Sequence, residues 1–220
     1  MRRFARWHIW LGWAAALPLL LWTISGLFMT LRPIDTVRGD DLRSAAQTVD
    51  PAGLVMPRIA GPLGKLELVS QSGQPVWIAS LPDKSKQRFS AVDGNRIDPV
   101  SVLEARQRAE QALAAPPPLT AVRRFAADAA PLDLRRPRPS WQASFADGTR
   151  VYIDADTGEV LAVRTRWWRA YDLMWGLHIM DPAGREDTSH ALLWILSGIA
   201  LLSSLLGTTL LFRRRKTVRR

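Results

Sequence analysis

The sequence predicts a membrane protein in which two transmembrane α-helices flank a small α+β domain. Three observations lead there. Residues 7–31 (WHIWLGWAAALPLLLWTISGLFMTL) and residues 191–212 (ALLWILSGIALLSSLLGTTLLF) contain no Asp, Glu, Lys or Arg. About 20 apolar helical residues cross a hydrocarbon core of about 30 Å, so each stretch is long enough to span. Between them, short β-prone runs bounded by turn residues fall into two similar units with a helical pattern between.

The first span is expected at 7–31 behind a short basic segment, 1–6. Its apolar run exceeds the roughly 7–15 residues of a secretory signal, and Leu31-Arg32-Pro33 offers no small-residue cleavage site. An uncleaved helix is the expectation. Arg2, Arg3 and Arg6 precede it, and Arg213, Arg214, Arg215, Lys216, Arg219 and Arg220 follow the second span. These nine charges account for all but one unit of the net +10. The basic balance is therefore a topology signal, since cytoplasmic flanks collect Lys and Arg. It predicts a bacterial inner-membrane protein with both termini cytoplasmic and residues 32–189 periplasmic. It also argues against a nucleic-acid partner, which would want the basic residues on one folded face. Membrane lipid is the expected surrounding partner.

Residues 32–64 are rich in Pro, Gly and polar types and predict an irregular connection. The small domain follows at 65–165. Its first unit is KLELVS (65–70), PVWIAS (75–80) and RFSAVDGNRI (88–97). SVLEARQRAEQALAA (101–115) then sets Val102, Ala105, Ala109 and Leu113 near helical spacing, and Pro116-Pro117-Pro118 stops it. The second unit is TAVRRF (120–125), SWQASF (140–145), RVYIDA (150–155) and EVLAVR (159–164). RFSAV-DG-NRI parallels RVYIDA-DTG-EVL 62 residues later, with one residue fewer at the turn. Helix plus antiparallel strands is an α+β arrangement in which a sheet face packs on the helix. Asp154, Asp156 and Glu159 are expected to serve the turn, the Asp bonding backbone and Gly158 taking positive φ, because one strand end alone makes a poor metal site.

Residues 166–189 predict an interfacial amphipathic segment, with Trp168, Tyr171, Trp175 and His178 on one helical face. The second span is expected at 190–212, followed by a basic tail, 213–220.

The chain has no cysteine, which excludes disulfides, Cys-ligated zinc, iron–sulfur clusters and covalently attached c-type haem. It has three histidines, and all abut the predicted membrane: His8 at the inner end of the first span, His178 and His190 at the outer end of the second. Each has an ordinary explanation, as an interfacial side chain or, for His190 beside Thr188 and Ser189, a helix start. Together they suggest axial ligation of haem iron, which imidazole suits and helical bundles accommodate. A haem here would be b-type. His8, His178 and His190 are the candidate cofactor-binding and iron-ligating residues, and no catalytic residue is assigned. The span length separates His8 from the other two, so His178 and His190 share one face and His8 would act with a second copy of itself. Met29, Met174 and Met180 are possible substitute ligands. Gly12, Ala14, Ala15, Ala16, Ser25 and Gly26, with Ser197, Gly198, Ser203, Ser204 and Gly207, let helices approach each other or a flat macrocycle.

Helix, strands and RVYIDADTGEVL resemble the PepSY domain, with Trp141, Tyr152, Asp154, Asp156, Thr157, Gly158 and Glu159 on its pattern. WHIWLGW…LPLLLWTISGLFM and GLHIMD are similar to elements of PepSY-associated transmembrane proteins. The resemblance covers nearly the whole chain, and the order of its motifs makes it specific. It implies haem-containing reductases that take electrons from the cytoplasmic side and reduce ferric iron or ferric siderophores outside. Those proteins have more transmembrane helices. A homodimer would restore a four-helix bundle, with His8 paired to its copy inside and the His178/His190 set outside. There is no G-x-G-x-x-G, so reductant would come from quinol or a separate cytosolic reductase. Neither H-E-x-x-H nor a Ser-His-Asp arrangement is present. The alternative expectation is a noncatalytic PepSY sensor, regulator or partner of an envelope protein.

Overall fold

The computed structural model describes residues 2–45 and 47–218 of the 220-residue chain. Arg219 and Arg220 of the expected basic tail lie outside the described residues. The chain divides into two compact units, Ile34–Trp168 on one side and Met1–Pro33 with Arg169–Arg220 on the other.

Ile34–Trp168 holds two four-stranded antiparallel sheets, each an up-and-down meander. The first is β1 (Lys65–Gln71), β2 (Gln74–Ser80), β3 (Lys86–Ser90) and β4 (Arg96–Ile97). The second is β5 (Leu119–Phe125), β6 (Ser140–Phe145), β7 (Arg150–Asp154) and β8 (Val160–Arg164). Helix α3 (Val102–Gln111) comes between them in sequence. Its start is chemically marked: the Ser101 Oγ accepts from the Glu104 N–H at 3.2 Å, the S-x-x-E signature of a helix N-terminus. Ala105 and Ala109 are fully buried against β5–β7, in a core with Val100, Leu113, Ala143, Phe145, Val151, Ile153 and Val163. Small residues on the helix let it lie close to the sheet. Val102, expected on that face, is 54% exposed. It is the first helical residue, before the backbone has turned onto the sheet. Val100 fills the place instead, anchored by its N–H to the Ala155 C=O at 2.8 Å.

The repeat is more regular than the sequence alignment suggests. β3 and β7 are equally long and 64 residues apart, as are Gly94 and Gly158. The Ser90 N–H bonds the Asn95 C=O at 2.8 Å, and the Asp154 N–H bonds the Glu159 C=O at 2.8 Å. Gly94 (φ 74°) and Gly158 (φ 75°) each donate to the residue that opens their turn. The turns are thus the same length, correcting the offset of 62 and the missing residue. Ser90 Oγ caps two turn N–H groups as Asp154 Oδ1 does, at 3.2 and 3.4 Å against 3.0 and 2.9 Å. Serine and aspartate do one job here, which letter matching hides. Asp154 also meets Arg138 Nε at 2.7 Å through its other oxygen. The carboxylate is spent on the turn and on that arginine, as expected for a structural role.

The 32–64 connection contains one short helix, α2 (Ile34–Arg38), and a 3-10 turn at Asp40–Leu42, with Val37 buried. Farther on, Val55 covers the first sheet: its N–H donates to the Ala91 C=O at 2.8 Å and its C=O accepts from Trp77 Nε1 at 2.9 Å.

The other unit is a helix pair, α1 (Arg2–Met29) and α5 (Ala191–Val218), with the end of α4 (Arg166–His178). Among the described residues these contain the two candidate membrane spans, Arg3–Met29 and Ala191–Arg213. Ala15, Ser25, Ala200 and Ser203 are buried, whereas Trp13, Leu17, Leu20, Ile24, Leu201 and Leu205 are exposed. A seam of small residues with large apolar residues facing outward is the inverse of a soluble core, and it is how helices pack in lipid. Pro18 sits inside α1, a position that membrane helices tolerate.

Candidate functional site

Each histidine contacts backbone or small polar groups of the helix pair. His178 ends α4, and its ring meets α1 near that helix's far end. Its Nδ1 lies 2.9 Å from Ser25 Oγ. Ser25 is 1% exposed and its hydroxyl donates to the Leu21 C=O at 2.5 Å, the usual back-bond of a helical serine. With that proton committed, Ser25 Oγ accepts, and His178 carries its proton on Nδ1. Nε2 is left with its lone pair and no hydrogen-bond partner among the described residues. The His178 C=O is held as well, accepting from Trp22 Nε1 at 2.7 Å. Gly26 leaves space beside the ring, since a Cβ there would stand 3.7 Å from Cε1.

The approach of α4 is braced from below. Arg185 Nη1 donates to Asp172 at 2.8 Å, and the Arg185 C=O accepts from Trp175 Nε1 at 3.2 Å. Gly176 is required: a Cβ would come within 2.6 Å of Arg185 Cγ. Asp181 closes the following turn by accepting from the N–H groups of Gly184, Glu186 and Asp187 at 2.9, 3.1 and 3.2 Å. Those backbone donors hold its carboxyl below the usual range.

His8 lies two turns into α1, against the second half of α5. Its ring rests on Gly207, where a Cβ would fall 2.9 Å from Cε1 and 3.3 Å from Nε2. Nδ1 is 3.5 Å from Ser203 Oγ, a long contact at the limit of hydrogen bonding. His8 is positioned by packing more than by bonding.

His190 stands just before α5 with both nitrogens occupied. Nδ1 accepts from the Leu193 N–H at 3.3 Å, so the proton is on Nε2, which donates to the Ile179 C=O at 2.9 Å. This is a helix cap, and it ties the start of α5 to the residue after His178. To coordinate a metal, His190 would give up one of those bonds. Met29 ends α1, Met174 lies within α4, and Met180 follows it at φ 58°.

Together these contacts make α1 and α5 antiparallel, with His8 at one level and His178 and His190 at the other. His8 and Ser25 are 17 residues apart in α1, a rise of about 26 Å at 1.5 Å per residue. Sequence reasoning counted Ser25, Gly26, Ser203 and Gly207 only as small residues. Their pairing with His178 and His8 spans 153 and 195 residues, beyond any local pattern. Trp22, Asp172 and Arg185 carried no sequence signal toward the site.

The helix pair presents the His8 imidazole at one level and the His178 imidazole at the other. A ligating histidine characteristically has its second nitrogen held by an outer partner, which sets tautomer and ring direction. His178 has this arrangement through Ser25, and His8 a weaker version through Ser203. Among the described residues no group of three or more His, Asp or Glu is placed to hold a bare metal ion.

The family model described as PepSY-associated TM region matches residues 5–220. Comparison with curated proteins finds no match. Comparison with solved structures finds none either.

Proposed function

The chain belongs to the PepSY-associated TM region family, and on that premise we propose that this membrane protein binds b-type haem and passes electrons across the bilayer. The observation that carries this reading is the His178–Ser25–Leu21 hydrogen-bond chain, which leaves Nε2 of a membrane-level histidine free for coordination. His178 and His8 are the proposed ligands at the two levels. His190 caps α5 and holds the residue after His178 in place. When bound, the haem would supply one-electron redox chemistry at each level. The protein's part is to fix the tautomer at Ser25, seat the His8 ring on Gly207 and keep water from both rings with apolar helix surface.

One chain offers one free imidazole per level, and two helices cannot enclose a macrocycle. A homodimer supplies the second imidazole and makes a four-helix bundle. The arginines in the first turns of α1 and the basic residues after the second apolar span orient both termini to the cytoplasm, leaving residues 32–189 in the periplasm of a bacterial inner membrane. Quinol or a cytosolic reductase is then the donor, and ferric iron or a ferric siderophore the periplasmic acceptor.

The test is a reduced-minus-oxidised spectrum of the chain purified from haem-replete cells. A Soret band with α and β bands, lowered by about half in His178→Ala, is the expected result. A wild-type protein without a Soret band overturns the proposal and leaves the noncatalytic PepSY module, whose activity His178→Ala would not change.

A further inference from the structure

We propose that the soluble unit carries a binding groove for a carboxylate anion, built where α3, β1 and the Asp154–Glu159 turn meet. It does not depend on the haem reading, because every residue concerned lies within Ile34–Trp168.

The groove has a volume of about 400 Å³, enough for a small molecule or the end of a peptide, and Gln47, Gln71, Arg108, Gln111 and Glu159 are among its lining residues. Arg108 lines it, and the ion cluster behind Arg108 has more cation than anion. Arg88 and Arg108 share the single carboxylate of Glu104: Oε1 takes Arg88 Nη1 at 2.5 Å and Arg108 Nε and Nη2 at 2.8 and 2.7 Å, and Oε2 takes Arg88 Nη2 at 2.7 Å. The side chains of Arg88 and Arg108 are only 3% and 11% exposed. Glu159 is directed to other partners through Oε2, which accepts from Lys86 at 2.7 Å and from the Thr157 hydroxyl at 3.0 Å. A buried guanidinium that must share its counter-ion gains from a second one.

Hydrogen-bonding capacity points the same way. The three glutamine oxygens named on the wall are used from within. Gln47 Oε1 accepts from Ser70 Oγ and the Gly73 N–H, both at 3.0 Å; Gln111 Oε1 accepts from Ser72 Oγ at 2.7 Å; Gln71 Oε1 accepts from Arg108 Nη2 at 2.8 Å. The donors Arg108 Nη1, Gln47 Nε2 and Gln111 Nε2 have no acceptor among the described residues. A groove whose glutamine oxygens are spent while an arginine and two amide nitrogens keep spare donors complements a carboxylate. Gly158 completes it. A Cβ there would lie 2.9 Å from Arg108 Nε and 3.2 Å from Arg88 Nη1, so a side chain at this positive-φ position would crowd both arginines. Burial depresses the Arg108 pKa, with Arg88 adding repulsion against the pull of Glu104, a guanidinium short of negative charge.

A free small carboxylate and the C-terminus of a peptide share this chemistry. The full chain in detergent is titrated calorimetrically with citrate, with the tripeptide Ala-Ala-Ala, and with the same tripeptide amidated at its C-terminus. Binding of citrate or of the free-acid tripeptide is expected, identifying the source, with the amidated tripeptide at least about 10-fold weaker. Arg108→Lys, which keeps the charge and loses the fork, is expected to weaken binding about 10-fold. If that variant misfolds, the exposed pair Gln47→Ala with Gln111→Ala is read instead, with a loss of a few fold expected. No binding of either carboxylate, equal binding of the amidated tripeptide, or unchanged binding in a folded variant overturns the proposal.

Discussion

The two ends of the helix pair hold a histidine by different means. At His178 the ring is bonded: Nδ1 has a 2.9 Å partner in Ser25, the backbone C=O is tied to Trp22, and Gly26 stands off. At His8 the ring is wedged: Gly207 lies close beneath it, and the contact to Ser203 stretches to 3.5 Å. A hydrogen bond sets a proton's position and a ring's direction, whereas packing sets only where the ring sits. His178 is thus the proposed ligand whose chemistry the protein specifies, and His8 the proposed ligand whose location it specifies.

This contrast can be broken by substitution. The largest effect is expected from His178→Ala, which removes the imidazole nitrogen left without a partner at its level among the described residues and should abolish haem absorbance there. Next is Gly207→Val, whose branched side chain cannot fit where even a Cβ approaches Cε1 to 2.9 Å. It should displace His8 and lower haem content per chain by about half on the one-ligand-per-level reading, whereas Gly26→Ala, meeting ordinary contact at 3.7 Å, should leave content unchanged. Pyridine haemochrome quantification separates the first two from the third. Ser25→Ala should weaken haem affinity about 10-fold or more, the usual cost of losing an outer-shell partner. Ser203→Ala should cost less than about 3-fold, because its bond is already long. Equal effects of the two serine changes, measured by haem transfer to apomyoglobin, would erase the contrast. His190→Ala is expected to have the smallest effect, costing about 1 kcal/mol as a lost helix cap and lowering Tm without loss of the Soret band.

Much of the architecture was legible along the chain. Every strand-like run of 65–164 corresponds to a strand, because alternating β-prone residues between turn signals encode strands locally. The helical spacing of Ala105, Ala109 and Leu113 and the proline run marked α3 for the same reason. The repeat was visible but misaligned, since Ser90 and Asp154 differ in letter and agree in function. The grouping of the soluble strands into two separate sheets was less open to reading, as pairing partners are chosen in three dimensions.

By itself, then, the sequence determined the membrane spans, the strands and which side chains are chemically able to ligate. Those depend on composition and periodicity over a few turns. Tertiary structure alone decided what each histidine can do. It set Ser25 against His178, Gly207 against His8 and backbone groups against both nitrogens of His190. A histidine's tautomer and free lone pair follow from the neighbour within 3 Å of its ring, and for His178 that neighbour lies 153 residues away.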